Sequence, residues 1–300
     1  MSLPRQVTPG STYLLSRRCF QRTFLLRPSV EVNRIFLYCL SVAVEKFHVD
    51  LHAFVVLSNH YHLVATDPDG RLPEFMHWLN EYVAKCINAL HGRWESVWAP
   101  GSYSAVVLDS AEDVMDKMLY VFDNPVSAGL VRNAEQWPGL RSRAEDLGKT
   151  LFTALRPNIF FRNGGTAPRR QTLMLSIPPA LAGMPQGEVV TVLRRLVREK
   201  EREKQGEFAR TNRSFLGPGA VKGQSPLSRP EEDEQRRRMN PRVACKDKWR
   251  RVEVLRLLQS FRNAYREAWR RFCEGERDVV FPPGTYWMRL KYGVVCSPGP

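Results

Sequence analysis

Residues 55–64 read Val-Val-Leu-Ser-Asn-His-Tyr-His-Leu-Val, an apolar run broken by Ser58-Asn59 and by two histidines one residue apart. A run this rich in Val, Leu and Tyr predicts a buried strand or a tight pair of strands. Side chains alternate along a strand, so His60 and His62 must share a face. Two imidazoles side by side on a rigid strand are a ready pair of metal ligands, because neutral imidazole nitrogen donates well to divalent ions. Two satisfied histidines at a sheet edge would give the same pattern.

The surrounding periodicity predicts the fold class. Residues 12–20 begin like a strand after the turn signal Pro9-Gly10. Over 29–47, Ile35, Phe36, Cys39, Leu40, Ala43 and Val44 recur at helical spacing. Residues 49–57 and 61–66 read as the next two strands, closed by the turn Asp67-Pro68-Asp69-Gly70. A second amphipathic helix is expected over 72–90 and a fourth strand over 102–108. Ser110, with Asp113 three residues on, opens a third helix in the manner of a capping box. Strand, helix, strand, strand, helix, strand is the split βαβ plan of ferredoxin-like α+β domains. That plan lays two helices on one sheet face and leaves the other for a ligand or partner.

The formal net charge is +14, and its placement says more than its size. Residues 1–150 carry 15 Lys and Arg against 16 Asp and Glu, whereas 151–300 carry 30 against 15. This asymmetry suggests a nearly neutral globular half joined to a basic arm for a polyanion, nucleic acid before membrane, or else a merely solvated tail. The expected organisation is a compact unit over 1–147, a partly helical basic connector over 148–205, a flexible linker over 206–241 and a basic, mainly helical region over 242–300. In that last region an aromatic tail, 281–287, is expected to fold back on a helix over 246–274. The six cysteines are scattered, with no Cys-x-x-Cys pair, which suits a reducing compartment. The first 30 residues do not read as a secretory signal, and the longest apolar stretch, 35–44, is too short to cross a bilayer. A soluble, cytoplasmic protein is expected.

On the third helix, Val114, Met118, Val121 and Phe122 fall on one arc, and Tyr120 lies at the opposite flank near Lys117 and Asn124. A tyrosine off the core stripe is either a surface aromatic or a working phenol. Taken together, Asn59-His60-Tyr61-His62 and Tyr120-Val-Phe-Asp-Asn124-Pro125-Val-Ser-Ala-Gly-Leu-Val131 resemble the IS200-like single-tyrosine (HUH) transposases, and within them the REP-associated tyrosine transposases. The similarity runs over roughly residues 8–145 and includes Asn88-Ala-Leu-His-Gly-Arg93. That family has the ferredoxin-like fold already read from the periodicity.

The resemblance implies cleavage and rejoining of single-stranded or hairpin DNA through a 5′-phosphotyrosine, with Mg²⁺ or Mn²⁺ as cofactor and a homodimer as the working form. It makes Tyr120 the nucleophile, His60 and His62 metal ligands, and Asn124 the third ligand. Pro125 biases Asn124 away from helical geometry, so a capping role stays open for it. Arg17, Arg18, Arg22 and Lys117 are candidate contacts to the DNA backbone. Relatives often carry an arginine next to the aromatic residue that opens the fourth strand; here Tyr103 is present without it. A non-cleaving nucleic-acid-binding relative of the same fold is the alternative, and a phosphodiesterase using activated water a third reading.

Overall fold

The computed structural model describes residues 4–162, 164–231 and 243–298. The elements β1 (Ser11–Arg18), α1 (Val30–Phe47), β2 (Asp50–Leu57), β3 (His60–Asp67), α2 (Leu72–His91), β4 (Ser104–Leu108) and α3 (Ala111–Ser127) follow in the expected order. β3 lies antiparallel between β2 and β1, and β4 antiparallel on the far side of β1, so the order β2-β3-β1-β4 is ferredoxin-like. The fold is α+β.

Local chemistry sets the element ends. The Ser29 hydroxyl accepts from Val32 N–H and starts α1, which stops at His48 in the left-handed region with φ 53°. At the start of α3, Ser110 accepts from Asp113 N–H at 3.1 Å. The Asp113 carboxylate does not reach back to the Ser110 backbone as a capping box would. It accepts from the Ser110 hydroxyl and from the backbone N–H of Lys246 instead. Pro125 does not divert Asn124 from the helix, contrary to expectation, and α3 continues to Ser127. Having no N–H, Pro125 cannot make the helical bond back to the carbonyl of Val121, four residues earlier.

Both faces of the β2–β3 pair are buried. α1 and α2 cover the face carrying Tyr61, through Phe36 against its ring and Asn80 on its hydroxyl. The opposite face is not the open surface that the element order predicts, because α3 packs across β2 and β3 there. Ala53, Val55 and Val64 on that side are fully buried and require a cover. The outer edge of β2 is closed by 137–142: Val56 N–H donates to Leu140 O at 2.9 Å, and Trp137 Nε1 to Val56 O at 3.0 Å.

The chain after 147 packs against the preceding elements. A hairpin of β5 (Leu151–Leu155) and β6 (Arg170–Met174) packs on α1, where Tyr38 donates to Pro168 O at 2.6 Å. Helix α4 (Gln186–Arg210) lies along α3, and short α5 (Pro218–Gly223) buries Val221 in the main core. Within the expected linker, residues 206–231 are fixed to the domain: Leu216 N–H donates to Gly129 O, and Arg27 reaches the carbonyls of Lys222 and Gln224. The rest of that linker, 232–241, lies outside the described residues. The isolated residues Leu173, Leu181, Val189, Phe208 and Val221, too sparse to make a period, are what anchor this half.

β7 (Val243–Ala244) then pairs parallel with β4 as a fifth strand. Helix α6 (Lys248–Cys273) and α7 (Trp287–Tyr292) share a small second core around Ala268, Val279, Phe281 and Met288. Among the described residues no helix is long and apolar enough to cross a membrane.

Candidate active site

β2 and β3 are joined by the two residues Ser58 and Asn59, neither of which takes a positive φ. The segment after β1 fixes that turn: Leu26 N–H donates to Ser58 O at 2.9 Å, Cys19 N–H to Asn59 O at 2.7 Å, and Asn59 Nδ2 to Arg22 O at 3.2 Å. The last contact settles which end of the Asn59 amide faces which way. Its Oδ1 lies 2.6 Å from His60 Nδ1 and accepts a hydrogen bond from it, which leaves Nε2 as the nitrogen that can offer a lone pair.

His60 and His62 do share a face, with ring centroids 4.9 Å apart. His62 is buried. Burial first, then the neighbouring His60 and Arg18, hold it well below the ordinary imidazole range, so its ring is neutral. Its Nδ1 is buried with no hydrogen-bond partner among the described residues. Its Nε2 faces the Tyr120 hydroxyl at 3.3 Å, the two rings standing edge to face with centroids 5.1 Å apart. Tyr120 is 37% exposed, and its hydroxyl is held at His62.

Asn124 lies one turn beyond Tyr120 on the same side of α3 and is buried; its backbone carbonyl accepts from Ala128 N–H where the helix ends. Among the described residues no three His, Cys, Asp or Glu cluster as a metal site. The imidazoles of His60 and His62 are the donors that the strand brings together.

The four basic candidates are placed differently. Arg18 pairs with His60 in the β1–β3 register and so shares the histidine face. Arg17 points to the opposite face and is spent on structure, donating to Gly101 O at 2.8 Å and Ala99 O at 3.0 Å. Arg22 sits in the turn that holds Asn59. Lys117 pairs with Asp116 at 2.8 Å.

Two residues escaped the sequence reading. Asn59, adjacent to His60, orients it, and its place beside the ring was the available signal. Lys200 of α4 acts on both Asp116 and Asp123, which flank Tyr120 on α3, and nothing in the sequence pointed to it. Burial pushes the Asp116 carboxyl up, but Lys117, Lys246 and Lys200 outweigh it and hold it low. At Asp123 burial wins, against Ser127 and Lys200, and the carboxyl is raised.

No family model matches this sequence, and no curated protein matches it. Among solved structures, the chain is similar to a REP-associated tyrosine transposase bound to a REP hairpin, at 18% identity and a TM-score of 0.41, over 49% of this chain and 84% of that one. It is also similar to a candidate transposase from Deinococcus radiodurans R1, at 18% identity and a TM-score of 0.29, over 41% of this chain and 97% of that one. Both are likenesses at an identity too low to carry function.

Proposed function

We propose that this protein is a transposase-type enzyme that cleaves and rejoins single-stranded DNA, on hairpin or repeat substrates, through Tyr120. The observation that carries the reading is the Tyr120 hydroxyl 3.3 Å from His62 Nε2, beside a second imidazole. A phenol in the protein interior that only needed a hydrogen bond would not require a paired imidazole and an exposed ring.

In this reading the Tyr120 oxygen attacks phosphorus, the bond from phosphorus to the 3′-oxygen breaks, and the strand end leaves as a 3′-OH. The 5′-phosphate stays on the tyrosine. The ester count is unchanged, so a later 3′-OH can reverse the step without external energy. Catalysis of this kind depends on in-line placement and on neutralising charge on the phosphoryl oxygens. The anchored phenol serves the first need. With Nδ1 of His62 kept as the metal donor, its Nε2 carries the ring proton and orients the Tyr120 oxygen; the phenolic proton leaves to water, and Arg18 lies on the same face for a phosphate.

A divalent cation, Mg²⁺ or Mn²⁺, would be held by Nε2 of His60 and Nδ1 of His62, with Asn124 the candidate third ligand. With no carboxylate among them, the anionic oxygen that such ions prefer must come from the DNA phosphate. When bound, the ion would supply Lewis-acid charge to a non-bridging oxygen. The imidazoles and the phenol meet within one chain, so a homodimer, if it is the working form, is not needed to complete the cluster.

The test is to incubate the protein with hairpin-bearing single strands from the DNA flanking its gene, with Mn²⁺, and resolve the products on a denaturing gel. A protein–DNA adduct is expected, and Tyr120→Phe should abolish it. An adduct that persists in Tyr120→Phe removes Tyr120 from the chemistry. Tight hairpin binding with no adduct under any metal favours the non-cleaving alternative.

A further inference from the structure

On the opposite side of the sheet, a groove of about 1770 Å³ runs between α2, β4 and the α6–α7 region. Tyr13, Arg17, Ala105 and Val107 line its floor, and the strand registers put all four on the face away from His60 and His62. Phe261, Tyr265 and Trp269 of α6 form one wall. Trp287, Lys291 and Tyr292 stand at its rim, with Trp287 59% and Tyr292 48% exposed.

Two properties describe what would fill it. The first is unmet hydrogen bonding. Arg17 Nε and Arg262 Nε are buried with no hydrogen-bond partner among the described residues, and both residues line this groove. Buried polar atoms are nearly always satisfied, so the occupant should bring polar groups. The second is charge. The lining carboxylates are already paired, Glu74 with Arg71, Glu81 with Lys85 and Asp109 with Arg250. Arg262, Arg266 and Lys291 make no ion pair among the described residues, so the groove presents unspent positive charge beside aromatic faces.

We infer that this groove binds a single-stranded stretch of nucleic acid, its bases stacked on the rim aromatics and its phosphates against Arg262, Arg266 and Lys291. Aromatic platforms along a cationic groove are the general means of holding unpaired bases, because every base has a π face and a duplex hides it. The inference deepens the proposed function and rests on nucleic acid being the ligand, but it does not use Tyr120 or the histidines. In it the basic half of the chain holds the strand that runs to or from the cleavage site.

The test uses the full-length protein without added metal, titrated against a fluorescent oligothymidylate about twenty nucleotides long and against a duplex of the same length. The oligothymidylate should bind more tightly than the duplex. Arg266→Glu combined with Trp287→Ala, both at exposed positions, should weaken it about tenfold or more. The salt dependence should also become shallower. Unchanged oligothymidylate binding in the double variant overturns the inference. So does light scattering that shows a dimer converted to a monomer while binding is retained, which would assign the groove to a second copy of the chain. The adduct assay separates the two readings. An adduct with groove variants that bind normally sinks only the groove, and groove-dependent binding without an adduct sinks only the cleavage.

Discussion

The Tyr120 hydroxyl lies 3.3 Å from Nε2 of His62, although 58 residues separate the two in the chain. α3 makes the meeting by crossing back over β2 and β3 on the histidine face. The contact depends on the β3 register, because a slip of one residue would turn both imidazoles into the α1–α2 layer.

Asn59 should matter more to the site than to the fold. Its Oδ1 fixes which nitrogen of His60 carries the proton. Asn59→Ala is expected to lower Mn²⁺ affinity by roughly 10- to 100-fold, as loss of a ligand's hydrogen-bond partner generally does. Asn59→Asp, which keeps the acceptor, should retain most of that affinity. Calorimetric titration of Mn²⁺ into the three proteins checks this, and equal affinities would dismiss the orienting role.

Acid should unfold the protein partly through His52. This residue sits at the irregularity in β2 between Leu51 and Ala53, which turns it toward Ser176 and Thr66. Its Nδ1 lies 2.8 Å from Ser176 O, and Thr66 Oγ1 lies 2.8 Å from its Nε2. Burial pushes its pKa down to about 4, against the stabilising effect of Ser176 on the charged form. The folded value is depressed, so the unfolded chain binds the proton first. The contribution is complete above the ordinary imidazole pKa of about 6.5 and is lost as pH falls toward 4, on the order of 3 kcal/mol in all. Urea unfolding at several pH values, compared with His52→Asn, should show a flatter profile for the variant over this range.

Gly139 is packed where a side chain has no room. A Cβ there would fall 2.4 Å from Trp137 Nε1 and 3.0 Å from Val56 O. Gly139→Ala must therefore push the indole off its hydrogen bond to Val56 and loosen the strap along β2. A loss of about 1–3 kcal/mol is expected from overpacking. Thermal unfolding measures it, and an unchanged midpoint would mean the strap moves freely.

Much of this molecule was legible in the chain. Alternation put His60 and His62 on one face. Helical spacing located α1, α2 and α3, and the order of elements gave the ferredoxin-like sheet. These features are local, because which side of a strand or helix is apolar is written within a few residues of itself. Tertiary structure alone decided what covers each side. It brought Tyr120 onto His62 and spent Arg17 on the carbonyls of Gly101 and Ala99. It also tied 206–231 to the domain through single buried residues such as Phe208 and Val221. Such contacts follow from strand register and helix crossing across the whole sheet, and no window of sequence contains both partners.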